Sequence, residues 1–461
     1  MKQTICHQCK LVYTRNPHKM NKGRSLVQAI SNNSIFSPDY QETSYWLDHP
    51  DLKVVQEQSL PACTELLVIG SGYTGLNAAI QAVKNEIETL VIDEGDLGGG
   101  CSTKNGGQIS TSIKPSLRSL SKKYGFEKAF AIRGEGLNAL NWLDDFIQQE
   151  NLECDFERCG RFHGAHTAKH FRQMRESVED LEQESIRAHP ISKDDVHSEL
   201  GTDYYHGGLV YPDNASLHPA KYHRELVRLA TTSGCKLVDQ CRALKITRSN
   251  NQFIVTTTKG EVRADKLAIA TNGYTSTVTP WLRRRIIPIG SYIIATQALD
   301  PSLMDQLFPT NRMITDSRKV VYYYRPSPDR TRILFGGRVS AQETDPSISG
   351  PKLLNDLVRL FPQLSSTQIS HSWTGTVAYS FDELAHTGKQ DNMYYSMSYC
   401  GSGVSMASYL GMKMGRKISE TEDSDTAFDD LTYPSRFYYS GKPWFLPIAV
   451  EWYRFTDRLL N

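Results

Sequence analysis

No stretch of this chain approaches the run of about 18 apolar residues that a membrane-spanning helix needs, and no apolar core of a signal peptide lies near its start. Charge of one sign is equally scarce: Lys+Arg 52 against Asp+Glu 51 leaves a formal net charge of +1. That balance provides no bulk field to draw nucleic acid or an anionic surface. No nucleic-acid partner and no membrane span are expected, and a small molecule fits better. The nine cysteines lack the density and even spacing of a disulfide framework, which favours a cytoplasmic location. Cys6-His7-Gln8-Cys9 has CxxC spacing, but neither a second CxxC nor a paired histidine follows, so no metal site is expected.

What is present is enough to fold. At 461 residues and 39% hydrophobic composition, the chain can bury two compact cores or one large discontinuous one. One bias stands at the N-terminus, where Lys2, Lys10, Arg15, Lys19, Lys22 and Arg24 precede the first acid, Asp39. Its weak helical amphipathicity reads as a basic surface arm over residues 1–44, the alternative being an organelle-targeting segment.

The first strong pattern is an apolar strand from Glu65 to Ile69, followed by glycines and then by Leu76, Ala79, Ile80 and Val83 at helical spacing. Thr89 to Asp93 is a second apolar strand, and the whole reads as a βαβ unit. Gly70-Ser71-Gly72-Tyr73-Thr74-Gly75 places GxGxxG in its required position between strand and helix. Gly70 makes the tight turn, Gly72 admits a pyrophosphate to the backbone, and Gly75 allows close packing of helix on strand. The free N–H groups of the helix start face the phosphates. Asp93 stands where an acid takes the ribose hydroxyls, with Glu94 beside it as a substitute.

A second small-residue segment follows at once, Gly98-Gly99-Gly100-Cys101-Ser102-Thr103-Lys104-Asn105-Gly106-Gly107-Gln108. Backbone so bare can lie against a flat, extended ligand, and Ser102 can reach a phosphate or ribityl oxygen, which favours FAD over NAD. Some three hundred residues on, Gly401-Ser402-Gly403 precedes an apolar helix from Val404 to Ile418, whose positive end suits the negative charge of a reduced flavin. Between these segments the pattern predicts helices at Leu137–Gln149, Ala168–Ile186 and His218–Ser233. Strands are predicted at 236–238, 244–247, 253–258 and 266–270, and an antiparallel set at 286–298, 320–324 and 333–336.

Val68 to Leu76, Asn105-Gly106-Gly107-Gln108, Ala270-Thr271-Asn272-Gly273-Tyr274, Phe361-Pro362-Gln363-Leu364, Trp373-Thr374-Gly375 and the start of the last helix together carry a likeness. From about residue 44 onward the chain resembles the FAD-dependent oxidoreductases of the D-amino-acid oxidase superfamily. The resemblance implies an α/β fold: a discontinuous Rossmann-type FAD-binding domain (45–115, 213–283 and 374–425) with an α+β substrate domain on an antiparallel sheet (116–212 and 284–373). Residues 426–461 would form a C-terminal extension. It further implies oxidation of a primary or secondary amine, gamma-glutamylputrescine or a related amine or amino acid, by hydride transfer to the flavin. The imine is then hydrolysed to aldehyde and ammonia, and O2 is reduced to hydrogen peroxide. By position Ala243 falls against the adenine, Ala270 to Gly273 (with Thr271) under the cofactor, and Lys104 near the flavin ring.

Two departures bear on substrate. Cys400-Gly401-Ser402-Gly403 lacks a histidine that the members of the superfamily it most resembles look to carry before the last helix. Asp382-Glu383, followed by Ala385, stands where those same members look to have a polar residue and an arginine before a proline. If that loop faced the cavity, its carboxylates would favour a cationic amine; the alternative is a pair of solvated acids. Tyr322, Tyr323, Tyr324 and Trp373 are candidates for the cavity wall, with Tyr322 and Tyr324 sharing one strand face. The residues expected to act in catalysis are thus Lys104, Tyr324 and Glu383. Two other functions fit the same residues: an amine dehydrogenase passing electrons to a quinone or carrier, and a protein that binds FAD without catalysis.

Overall fold

The computed structural model describes residues 35–48, 59–337 and 345–459. Most of the basic stretch and the Cys6–Cys9 pair lie outside the described residues. Two large sheets organise the rest.

The first holds eight strands, and a parallel core runs through it in the spatial order Met393–Met397, Gly260–Ile269, Cys63–Ile69, Thr89–Ile92, Lys236–Val238. Its central strand is covered on both faces, which explains the unbroken Leu66-Leu67-Val68 run, every residue of it fully buried. The helix Tyr73–Lys84 crosses one face, and the helix Gly403–Ile418 packs along it. Two glycines one helical turn apart make that contact possible: a Cβ at Gly411 would lie 2.5 Å from the carbonyl oxygen of Thr74, and one at Gly415 would lie 2.6 Å from that of Ala78. The two backbones touch.

The second sheet holds nine strands and is antiparallel apart from two pairings. Its longest pair, Ile369–Tyr379 with Ile287–Thr296, lies near one edge, and beyond it follow in order Ile333–Gly337, Tyr323–Pro326, Met313–Asp316, Arg161–Gly164, Gly208–Tyr211 and His189–Ile191. One face of it carries a separate core of Phe162, Tyr292, Phe308, Tyr324, Phe335 and Phe361.

Several boundaries differ from the sequence pattern. Residues 36–41, expected in the arm, form a strand parallel to Ile369–Tyr379, with Phe36 and Tyr40 packed on the second core. The strand Ile369–Tyr379 runs unbroken through the position where a domain border was drawn between 373 and 374. The helix that starts at Leu137 in the pattern begins at Phe126, and its Ile132, Leu140 and Leu143 join the same core as Leu76, Ile80 and Leu410 of the first sheet's helices. The stretch 168–186 splits at Ser177 into two short helices. Helices at Pro346–Leu360 and Leu446–Leu459 have no counterpart in the pattern reading.

Candidate active site

Between the two sheets lies a cavity of about 710 Å³. One end is built by the βαβ unit. The helix Tyr73–Lys84 starts at Gly72, which has no side chain to cap it; the N–H of Tyr73 donates instead to Ser102 Oγ of the glycine-rich loop at 3.1 Å. Gly70, Gly72, Tyr73 and Thr74 line the cavity. A Cβ on Gly72 would approach Ser102 Oγ to 2.9 Å, closing the gap between the helix start and the glycine-rich loop. Gly75 faces the other way: its Cβ would sit 1.9 Å from the carbonyl oxygen of Gly70, the close packing expected of the third glycine.

Asp93 and Glu94 also reach the wall. Asp93 braces the turn as well, since its Oδ2 accepts from both the backbone N–H (2.8 Å) and the hydroxyl (2.7 Å) of Ser71. Glu94 lies 3.6 Å from Arg242 across the mouth, where both side chains are more than half exposed, so the pair adds little stability. Ala243 and Thr271 complete this end.

The glycine-rich loop forms the middle. Gly100, Cys101, Ser102, Lys104, Asn105, Gly106 and Gln108 all border the cavity. Asn105 staples the loop to itself, its Nδ2 donating to the carbonyls of Cys101 (3.1 Å) and Ser102 (3.0 Å) while its Oδ1 accepts from Gly107 N at 2.8 Å. Gly107, at φ +67°, does not line the cavity; its Cβ would strike the carbonyl oxygen of Leu217 at 2.3 Å, so its bareness serves the loop and not a ligand. From the far side come Gly401, Ser402, Gly403 and Val404 at the start of the last helix. Ser402 Oγ donates to the Ser112 carbonyl at 2.8 Å and leaves that helix start without a side-chain cap. Burial pushes the thiols of Cys101 and Cys400 up to about 11, which keeps both protonated and poorly nucleophilic at neutral pH.

The other end belongs to the nine-stranded sheet. Arg161, His163, Ser291, Met313, Thr315 and Tyr323 face it, joined by Ser110, Ser112 and Lys114. Here two expectations are corrected. Tyr324 is fully buried on the opposite face, among Phe308, Phe335 and Phe361, with its hydroxyl 3.1 Å from that of Tyr205. Strand alternation hands the cavity position to Tyr323, whose hydroxyl lies 2.7 Å from Ser291 Oγ. Glu383 is exposed and lines nothing; it occupies a turn at φ +59°, its N–H donating to the Ser380 carbonyl. Its neighbour Asp382 is taken by His386 at 2.9 Å and by Lys123 at 3.5 Å. No carboxylate of that loop meets the cavity. Trp373 lies behind the wall, donating from Nε1 to the carbonyl of Lys104.

Arg161 and His163 were not foreseen. Their signal is in Arg161-Phe162-His163-Gly164: alternation places Phe162 in the core and sets the two polar side chains on the cavity face of a strand with no other reason to carry them.

The wall fits FAD in its chemistry. Bare backbone and a helix N-terminus stand where a diphosphate needs them, and acids stand where a ribose does. The comparisons agree. The chain is 26% identical to the Haemophilus influenzae protein "Probable oxidoreductase OrdL" over 91% of its own length and 98% of that protein. It is 26% identical to the gamma-glutamylputrescine oxidoreductase of Escherichia coli, covering 86% of this chain and 93% of that one. The glycine oxidase of Geobacillus kaustophilus shares the fold, with a TM-score of 0.68 at 14% identity, over 82% of this chain and all of that one (100%). A model of the DAO family, FAD dependent oxidoreductase, matches residues 65–416 and takes in every residue of the cavity wall; the chain belongs to that family.

Proposed function

We propose that the protein oxidises a primary or secondary amine at the carbon next to nitrogen, releasing the aldehyde and ammonia or a smaller amine after the imine meets water. The observation that carries this reading is the continuity of the cavity: one space runs from Asp93 and Glu94 past the glycine-rich loop to Tyr323, so a nucleotide and a small molecule can share it end to end. When bound, FAD supplies a two-electron acceptor for the hydride, with O2 as the final oxidant and hydrogen peroxide as product.

The chain's own residues would act by binding and exclusion. Ile289, Met313, Val320 and Tyr323 present apolar surface that displaces water around the reacting carbon. Ser291 holds the Tyr323 ring in place through the hydroxyl contact already described. The uncapped start of Gly403–Ile418 directs its positive end toward developing negative charge. Lys104, the one expected catalytic residue that borders the cavity, would add a cation on the same side. No carboxylate is required as base if the amine binds in its neutral form.

The names of relatives support an amine donor: one acts on gamma-glutamylputrescine, another is a 4-methylaminobutanoate oxidase of Paenarthrobacter nicotinovorans matching 46% of this chain. An anaerobic screen of the yellow protein against polyamines, gamma-glutamylated amines and N-methyl amino acids tests the reading. Bleaching of the visible flavin band identifies the donor, and rapid recolouring in air marks an oxidase; slow recolouring with fast dye reduction marks a dehydrogenase. A flavin that no amine bleaches refutes the proposal.

A further inference from the structure

The C-terminal segment turns apolar side chains outward. The helix Leu446–Leu459 buries Leu446 and Val450 against the protein, while its opposite face carries Ile448, Trp452 and Phe455 at helical spacing, 71%, 60% and 52% exposed. A surface helix ordinarily sets polar side chains there; this one sets its large rings. The loop before it continues the pattern. Phe437 stands fully clear of the protein, and Tyr438 and Trp444 are exposed beside it, with ring centroids 5.3 Å apart for Phe437 and Tyr438 and 6.4 Å apart for Tyr438 and Trp444. A contiguous apolar patch of this kind marks a surface that meets something other than water.

The patch has a firm seat. Tyr439 and Leu446 are buried in one cluster with Ile287 and Ile289, and the Tyr439 hydroxyl donates to the Ile286 carbonyl at 2.6 Å. Ile289 also borders the cavity, so the exposed rings stand just outside its substrate end.

Cations surround the rings. Arg283 packs on Gly441, where a Cβ would come within 2.5 Å of its Cγ, and Arg284, Arg436 and Lys442 are exposed. No acid occurs in residues 280–290 or 431–450, the two stretches that build this face. Of the two acids that follow Phe381, which packs on Tyr439, Asp382 is taken by His386 and Lys123. That leaves Glu383 and, on the helix, Glu451 against the four cations. A second copy of the chain would bring the same cations to a two-fold contact, where they repel. A lipid surface with anionic headgroups receives rings and cations together. Tryptophan and tyrosine, apolar in body and polar at one edge, suit that boundary.

We propose that this face docks the protein peripherally on a lipid surface carrying anionic headgroups. Phe437, Trp444 and Trp452 enter the acyl boundary, and Arg284, Arg436 and Lys442 meet the phosphates. The attraction is local, since a net charge of +1 draws nothing from a distance. No span is involved: among the described residues no helix is long and apolar enough to cross a membrane. Docking sets the substrate end of the cavity close to the lipid, whichever amine is oxidised there.

The test is flotation of the flavin-loaded protein with vesicles of phosphatidylcholine, either alone or mixed with about a quarter phosphatidylglycerol. Wild type floats with the mixed vesicles, less so at high salt, and brominated acyl chains quench its tryptophan fluorescence. The triple variant Phe437→Ser, Trp444→Ser, Trp452→Ser, with its flavin content unchanged, binds about 10-fold more weakly. Each of Arg284→Gln, Arg436→Gln and Lys442→Gln weakens binding to the mixed vesicles by about fivefold. Phe126→Ser, at an exposed ring on another helix, changes nothing. If the triple variant does not accumulate, Trp452→Ser and the three charge variants carry the test. Wild type that stays below the vesicles, or variants that float equally well, overturns the proposal. So does a dimer in sedimentation velocity that the triple variant dissociates while neither protein binds vesicles.

Discussion

The indole N–H of Trp373 donates to the carbonyl of Lys104 across 2.9 Å, joining the long strand of the antiparallel sheet to the glycine-rich loop of the nucleotide end. Trp46 grips the very next carbonyl, that of Asn105, at 2.7 Å. Both indoles pack in one cluster with Ile293, Ala295 and Leu334. A loop rich in glycine is thereby held in shape from outside as well as by Asn105, through one indole on the antiparallel sheet and one on the short turn Tyr45–Leu47.

Removing one grip should loosen that loop. Trp373→Phe keeps an aromatic ring but removes the N–H from which the Lys104 carbonyl accepts, a loss of about 1–3 kcal/mol. The variant is expected to unfold at a lower urea concentration and to release flavin on dilution faster than wild type; equal release would show that the loop holds itself.

Gly72→Val places a branched side chain where even a Cβ comes within 2.9 Å of Ser102 Oγ. The protein should fold and purify without yellow colour. Gly134→Ala is the contrasting change, because a methyl group added at that helical glycine would have nothing within 4 Å. It should retain flavin and gain about 0.5–1 kcal/mol from helix propensity and reduced freedom of the unfolded chain.

The tyrosines divide by face. Tyr324→Phe loses the hydroxyl contact with Tyr205 inside the second core and should cost about 1 kcal/mol of stability with turnover nearly unchanged. Tyr323→Phe removes the partner of Ser291 on the cavity wall and should lower kcat/KM with stability nearly unchanged. Glu383→Gln, at an exposed turn, should leave both within about 0.5 kcal/mol of wild type. Steady-state kinetics and thermal melts separate the three.

How much of this was legible beforehand follows from the kind of signal each residue leaves. The turn Gly70 to Gly75, the acid at Asp93 and the loop through Gln108 could be read directly, because a ligand that touches backbone demands glycine at fixed offsets. Alternation also paired Tyr322 with Tyr324 correctly, yet which face met the core depended on Phe308, Phe335 and Phe361, all distant in sequence. Of the two readings left open for Asp382 and Glu383, the one that keeps them off the cavity holds, and the partner that decides Asp382, Lys123, comes from a helix remote in sequence. Arg161 escaped notice because a lone cation on a strand means little until the cavity beside it is seen.

Acid should destabilise the protein earlier than its carboxylates alone require. His163 is pushed down to about 3, chiefly by burial, and His218 to about 4 for the same main reason. Both folded values lie below the unfolded value of about 6.5, so the unfolded chain takes up these protons first as pH falls. The stability contributed by neutral imidazoles is complete above about pH 6.5 and is lost progressively below it, toward the folded values. The melting temperature is expected to be flat from pH 7 to 8 and to fall between about 6.5 and 5, where carboxylates are still ionised. His163→Gln should flatten that slope.

The central claim is that one cavity brings an amine's α-carbon against the bound flavin. Single-turnover mixing without oxygen, using a donor found by the spectral screen with and without deuterium on that carbon, addresses it most directly. The account predicts that the flavin band bleaches in one phase and that deuterium slows it several-fold, as breaking the C–H bond requires. Bleaching at the same rate with either isotope, or a flavin that only dithionite reduces, would contradict it.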